Sequence, residues 1–134
     1  DAQKALSADI KKAAGPEGVH VAYDAVGGDY AEPVIRSMAW GGRFLVVGFP
    51  AGIPSIPLNL TLLKSCQIVG VFWGASIYRD PAGHMQNVTE LFDMCGKGQV
   101  KPRISASFAM EDAAKALEMI ADRKVLGKVV LTAP

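Results

Sequence analysis

The residues best placed to contact a ligand stand at the ends of two apolar segments. Phe44-Leu45-Val46-Val47-Gly48-Phe49 reads as a buried strand with a glycine near its C-terminal end, and Ile68–Gly74 repeats the pattern. Apolar runs bounded by turn residues are typical of parallel sheets that are covered on both faces. Ligands of such sheets bind beyond the carboxyl ends of the strands, where a glycine allows close approach. The chemistry predicted here is therefore binding of a flat molecule. Phe72-Trp73 could offer it an aromatic wall, and packing of these two side chains in the core is an equally good interpretation of their spacing.

Side chains with a spacing suited to catalysis are scarce. Asp24 follows a predicted strand without a partner carboxylate or histidine nearby, so a role in a turn is favoured over catalysis. His20 and His84 lack the companions of a triad or a metal site. Gly27-Gly28 precedes a helix, where an anion could bind, but it is not a G-x-G-x-x-G motif, and a structural turn is favoured. No tyrosine has a lysine four residues later, which excludes short-chain dehydrogenase chemistry.

Composition restricts the classes of protein that fit. The 134 residues suit one domain, and the net charge of +1 with interleaved signs indicates neither a nucleic-acid surface nor a charged tail. Apolar runs are too short for a membrane span, and no signal-peptide pattern is present. Cys66 and Cys95 are predicted to be buried, reduced thiols of a cytoplasmic protein. Because the chain starts at Asp1 and reads as helix from Ala2, we expect a truncated N-terminus.

Alternating helices and strands place these residues in an α/β fold with parallel strands. The pattern predicts helices over residues 2–14, from Ala31 to the glycine pair Gly41-Gly42, after Asp80-Pro81, and from Glu111. It predicts strands over residues 19–26, 44–49, 68–74, 104–108 and 128–132, with a long loop between the second and the third. In the last helix, four apolar side chains are expected to face inward: Ala113, Leu117, Ile120 and Ala121.

Five segments, in order, resemble a known family. They are residues 21–29 (VAYDAVGGD), 40–49 (WGGRFLVVGF), 56–64 (IPLNLTLLK), 69–74 (VGVFWG) and 127–131 (GKVVL). Together they are similar to the quinone oxidoreductase branch of the medium-chain dehydrogenase/reductase family, over nearly the whole chain. The resemblance implies the C-terminal half of a Rossmann-type parallel sheet plus a short α+β return segment. Residues 1–98 would complete the nucleotide-binding domain, and residues 99–134 would rejoin a catalytic domain outside this sequence.

The resemblance also implies cofactor contacts and an activity. Contacts with the cofactor would come from eight residues: Val26, Val47, Gly48, Phe49, Val71, Phe72, Trp73 and Lys128. The cofactor would be NADPH, with NADH not excluded, and its hydride would reduce a small quinone or enone without zinc. Catalytic residues within this chain stay unknown. A homodimer would form through the edge strand 68–73.

Two alternatives remain open at this point. The first is a zinc-dependent alcohol dehydrogenase of the same superfamily, whose metal ligands would lie upstream of this sequence. The second is a stand-alone binding or dimerisation module without catalysis, because half a nucleotide site is expected to bind weakly.

Overall fold

A computed structural model describes residues 2–133, and the chain divides after Arg79 into two compact units. The first unit contains four helices and three strands. They are α1 (Ala2–Ala14), β1 (Val19–Asp24), α2 (Ala31–Arg36), β2 (Met38–Val46), α3 (Asn59–Lys64), β3 (Gln67–Gly70) and α4 (Trp73–Arg79). A 3-10 turn, Gly28–Tyr30, leads into α2.

The three strands form a parallel sheet in the order β1-β2-β3. Phe44 lies opposite Ala22 on one side and Ile68 on the other, so β2 is central. Phe44 also belongs to the core on the helical side of the sheet, where six side chains are buried: Ala31, Ile35, Met38, Phe44, Leu60 and Cys66. The α/β fold class with parallel strands is therefore confirmed.

The prediction that Gly41-Gly42 ends a helix is wrong. Helix α2 stops at Arg36, and both glycines lie within strand β2. Val19 pairs with Met38 while Val21 pairs with Arg43, so β2 carries extra residues in a bulge. Gly41 has a φ of 70°, which glycine adopts without the steric cost that other residues meet. A pair of glycines signals a bulge as readily as a helix end, and the tertiary pairing decides which forms.

Further boundaries differ from the sequence prediction. Strand β1 ends at Asp24 rather than at residue 26, and β2 covers Met38–Val46 rather than residues 44–49. The stretch between β2 and β3 was expected to be a loop throughout, but α3 occupies Asn59–Lys64 and buries Leu60. Strand β3 ends at Gly70 rather than near Gly74, and Trp73 begins helix α4. Six-residue elements show too little periodicity for a sequence pattern to define them.

The second unit contains two helices and two strands. They are α5 (Pro81–Gly96), β4 (Ile104–Ala109), α6 (Ala113–Ala121) and β5 (Lys128–Thr132), with a 3-10 turn over Met110–Asp112. Strands β4 and β5 pair in parallel. The Asp80 carboxylate caps α5 by accepting a hydrogen bond of 2.9 Å from the Gly83 amide. The boundary that the resemblance places between residues 98 and 99 concerns domains of a parent enzyme and stays a prediction.

Apolar side chains of the second unit are less buried than the sequence indicated. Leu117 and Ile120 are more than half exposed, and Ala116 is the α6 residue that is buried instead. Cys95 on α5 is exposed as well, which contradicts the prediction of a buried thiol. The periodicity of a helix defines its apolar face correctly, but it does not ensure that the same chain covers that face.

None of the helices within residues 2–133 combines the length and the apolar character that crossing a membrane requires.

Candidate functional site

A cleft of about 490 Å³ opens at the carboxyl ends of β2 and β3. Six residues line it: Val46, Val47, Phe49, Gly70, Val71 and Phe72. This is the edge at which ligands of parallel sheets bind. The volume lies within the range of small-molecule sites, and none of the lining side chains is ionisable. The cleft can therefore hold an apolar or aromatic group, whereas its side chains cannot transfer a proton.

The backbone fixes the shape of the cleft. The amides of Val47 and Gly48 both donate to the carbonyl oxygen of Asp24, at 2.9 and 3.3 Å, and the Val71 amide donates to Val46 at 2.9 Å. Within the part of the chain that the structure describes, the Phe72 amide and the Val47 carbonyl oxygen have no backbone partner. At least one donor and one acceptor are thus left at the cleft. A ligand carboxamide has the complementary pair of groups.

Two loops next to the cleft hold each other by hydrogen bonds. The Asp24 carboxylate accepts from the amides of Val26 and Gly27 at 2.9 and 2.8 Å, which closes the turn after β1. Ala51 donates to the Val26 carbonyl oxygen, and Gly28 donates to that of Gly52. The turn role predicted for Asp24 is confirmed.

The glycine pair after β1 is required by this packing. A Cβ atom on Gly27 would lie 2.7 Å from the Gly52 carbonyl oxygen, and Gly27 has a φ of 70°. Gly28 faces the same loop, because a Cβ atom there would lie 2.6 Å from the carbonyl oxygen of Ala51. The structural turn predicted for Gly27-Gly28 is therefore confirmed, and the alternative of a ligand contact at this pair stays a prediction.

The cleft gathers four of the eight predicted cofactor contacts, namely Val47, Phe49, Val71 and Phe72. Their roles toward a cofactor are not tested by this geometry alone and stay predictions. Phe72 is 81% exposed, so its ring is not a core residue and remains available to a ligand. The two lining residues that the sequence prediction missed are Val46 and Gly70. Each is the last residue of its strand, and that position is the signal that could have found them.

The other four predicted contacts lie around the cleft or outside the first unit. Gly48 follows Val47 and precedes Phe49 in the chain, and both of these neighbours line the cleft. Val26 is 45% exposed on the neighbouring loop. Trp73 stands in the first turn of α4 rather than at a strand end. Lys128 belongs to the second unit, where it begins β5 and its amide donates to Arg103 at 2.9 Å. The role of Lys128 toward a cofactor stays a prediction.

The described residues do not fit a zinc site. Over residues 2–133, the structure brings no three histidine, cysteine or acidic side chains together as metal ligands. Cys66 is enclosed in the apolar core of the first unit, and Cys95 lies in the second. His20 faces Glu17, with its Nε2 atom 3.6 Å from the carboxylate. We therefore derive no chemical step through a metal.

Comparison with known proteins places these features in context. Residues 2–131 match the family described as zinc-binding dehydrogenase. The chain is 39% identical to quinone oxidoreductase-like protein 2 of Mus musculus, over 97% of this chain and 37% of that protein. It is 28% identical to acryloyl-coenzyme A reductase of Metallosphaera sedula, over 87% of this chain and 33% of that one. The chain thus spans about a third of the length of these relatives.

Solved structures agree with the fold. A probable oxidoreductase from Mycobacterium abscessus superposes with a TM-score of 0.74 and 26% sequence identity. The match covers 96% of this chain and 37% of the mycobacterial one. The similarity therefore extends over both compact units of this chain.

Proposed function

Because the chain belongs to the zinc-binding dehydrogenase family, we propose that it forms the C-terminal part of an NADPH-dependent, zinc-independent oxidoreductase. Its substrate would be a quinone or another carbonyl compound with a conjugated double bond. Similarity to proteins named for quinone and acryloyl-coenzyme A reduction supports this substrate class, since both are conjugated carbonyl acceptors. We place the protein in the cytoplasm.

The observation that carries the proposal is the apolar cleft at the ends of β2 and β3. The Phe72 amide and the Val47 carbonyl oxygen are the groups that would hold the carboxamide of a nicotinamide ring. Phe49, Val71 and Phe72 would form the wall against which the ring lies and from which water is excluded. Gly48 and Trp73 would also contact the cofactor, Val26 would do so less directly, and Lys128 would be a further contact.

Nicotinamide, when bound, supplies a hydride to the acceptor, and the protein supplies position and electrostatics. In this proposal the chain's own residues hold one face of the ring and present the other to the substrate. Since no ionisable side chain lines the cleft, a proton needed by the reduced acceptor would come from solvent or from a group outside this cleft. The proposal names NADPH rather than NADH as the cofactor because of the family resemblance.

A titration of the full chain with NADPH, followed by amide chemical shifts, tests the proposal. We expect saturable binding with a Kd on the order of 0.1 mM, which is weak because one half of a dinucleotide site is present. The shifted amides should be those of Val47, Gly48 and Phe72. The protein should also be isolated from its native source and its intact mass measured. We expect this protein to oxidise NADPH when a quinone or an enone is added.

Two results would contradict this proposal. If the isolated protein has a mass near 14.2 kDa and does not oxidise NADPH, the chain acts as a non-catalytic binding module. If zinc copurifies and a chelator abolishes alcohol oxidation, the zinc-dependent alternative is the correct one.

A homodimer formed through β3 is a further part of the proposal. Within residues 2–133, strand β3 pairs with β2 alone, which leaves its outer edge with unpaired backbone groups, and Ile68 on it is 42% exposed. Two copies related by a two-fold axis could join these edges into one continuous sheet. Light scattering at micromolar concentration should give twice 14.2 kDa.

Substitution at the edge tests this mode of association. Ile68→Lys should shift the protein to the monomer, because a charged side chain at an edge opposes strand pairing. Leu62→Lys is the matched control, since Leu62 is 80% exposed on α3, away from the edge. A wild-type monomer, or equal dissociation of both variants, would contradict pairing through β3. Circular dichroism should show that both variants fold.

A further inference from the structure

A second cleft, of about 550 Å³, lies between helices α1 and α2. Seven residues line it: Lys4, Ser7, Ala8, Lys11, Glu32, Pro33 and Arg36. None of them lines the cleft at the ends of β2 and β3. This second cleft differs from the first in charge, because four of its seven residues are ionisable and three of those are cationic.

Helix geometry explains why the cleft exists. Lys4, Ser7, Ala8 and Lys11 follow the i, i+3, i+4, i+7 pattern and form one stripe of α1. The two lysines are seven residues apart, about 10.5 Å along the axis. Because the small residues Ser7 and Ala8 lie between them, a hollow is left in the middle of the stripe.

The cations of the cleft are not fully neutralised. The Glu32 carboxylate forms an ion pair with the Arg36 guanidinium. Its Oε1 atom lies 2.6 Å from a terminal nitrogen of Arg36 and 2.8 Å from Nε, so these two charges offset each other. Among the residues that the structure describes, no carboxylate lies within ion-pair distance of Lys4 or Lys11. The lining thus keeps two unpaired ammonium groups on long, flexible side chains, which can converge on an anion between them.

Hydrogen bonds fix the floor of this cleft. The buried Ser37 hydroxyl donates to the Pro33 carbonyl oxygen at 2.8 Å, and the Ser7 carbonyl oxygen is a second, more distant acceptor at 3.3 Å. In this arrangement the Ser7 hydroxyl, 2.9 Å from that of Ser37, is the donor of their bond. This chain of bonds ties α1 to α2 and gives the cleft a defined shape. The donors left for a ligand are the ammonium groups.

We propose that the cleft between α1 and α2 is a binding site for a soluble diphosphate group. Two ammonium groups separated by a hollow match the two charged ends of a diphosphate better than a single small anion. The volume also admits the molecule that would carry such a group. The diphosphate could be free or could belong to a nucleoside diphosphate, because the lining recognises the anion and not its substituent.

Titration of the full chain with inorganic pyrophosphate at constant ionic strength tests the site. We expect saturation below about 1 mM, with amide shifts centred on Ser7, Ala8 and Arg36. Lys4→Gln and Lys11→Gln should each weaken binding on the order of tenfold, because each removes one charge-assisted contact. Ala8→Leu should abolish binding by filling the hollow while keeping every charge.

Lys12→Gln is the matched control, since Lys12 lies on the same helix and does not line the cleft. The proposal would be overturned if Lys12→Gln weakened pyrophosphate binding equally, or if the amide shifts lay elsewhere. It would also be overturned if binding did not saturate up to 10 mM pyrophosphate, which is about ten times the expected limit.

A titration with ADP distinguishes a free diphosphate from a nucleoside diphosphate. If ADP binds more tightly than pyrophosphate and shifts the same amides, the ligand of the cleft is a nucleoside diphosphate. If pyrophosphate binds more tightly, the ligand is the free anion. Both outcomes support the site. Shifts at Val47 and Phe72 with NADPH report only on the proposed cofactor cleft, so either proposal can fail alone.

Discussion

Replacing Phe44 with alanine is expected to lower the free energy of unfolding of the first unit by about 3–5 kcal/mol. Phe44 is 2% exposed on the central strand and belongs to a core of only six buried side chains. Its removal leaves a cavity beside Ile35 and Leu60, which a small core cannot fill by rearrangement. The loss is comparable to the whole stability of a small unit. Denaturation followed by circular dichroism should therefore show little or no folded first unit at 25 °C.

Phe72→Ala is the matched control for this effect. The same side chain is removed, but Phe72 is 81% exposed, and the change in stability should stay within about 0.5 kcal/mol. If Phe72 forms a wall of the cofactor cleft, its loss should weaken NADPH binding while the unfolding curve is unchanged. Similar destabilisation by both substitutions would show that the described core does not stabilise the unit.

Gly70→Leu is expected to lower the affinity for NADPH at least about tenfold, because the new side chain would occupy the cleft. Gly70 lines this cleft, and a Cβ atom built on it meets no atom within 4 Å. The substitution is thus compatible with the fold, and leucine is accommodated in a strand at little cost. The titration that defines the wild-type Kd should show the loss, while the melting temperature of the first unit stays unchanged.

Gly96→Leu controls for the added leucine. Gly96 ends helix α5, and a Cβ atom there also meets nothing within 4 Å. The affinity of the Gly96→Leu variant for NADPH should equal that of the wild type. An unimpaired Gly70→Leu variant would remove the cleft at the ends of β2 and β3 from consideration as the nicotinamide site.

The sequence predicted elements well where turn or cap residues stand next to them, such as Gly15-Pro16, Gly127 and Asp80-Pro81. Helix α1 and strand β5 have the predicted limits, and α5 begins after Asp80 as expected. Prediction failed where pairing between distant segments decides the backbone. The bulge at Gly41-Gly42 depends on the register against β1, and Asn59–Lys64 becomes helical while Leu60 packs against the core.

The candidate site was predictable in position more than in detail. Parallel strands that end together define one edge, and this rule pointed to the two strand ends near Gly48 and Gly74, whereas Val47 and Val71 came from the family resemblance. The free Phe72 amide depends on where β3 stops, and the sequence indicated an end several residues later than the one observed. The basic cleft between α1 and α2 was not predicted, because residues about 30 positions apart meet there only through packing.

The small buried core of the second unit determines how this chain should denature. Among the described residues after Arg79, Ala116 is the one apolar residue that is buried. The sheet of the second unit has two strands, and a sheet of that size is only marginally stable by itself. Heating should therefore melt residues 80–133 before the sheet around Phe44, in two calorimetric steps rather than one. A protease added at moderate temperature should remove the second unit first. A single melting temperature would not describe this chain, since its two units need not unfold together.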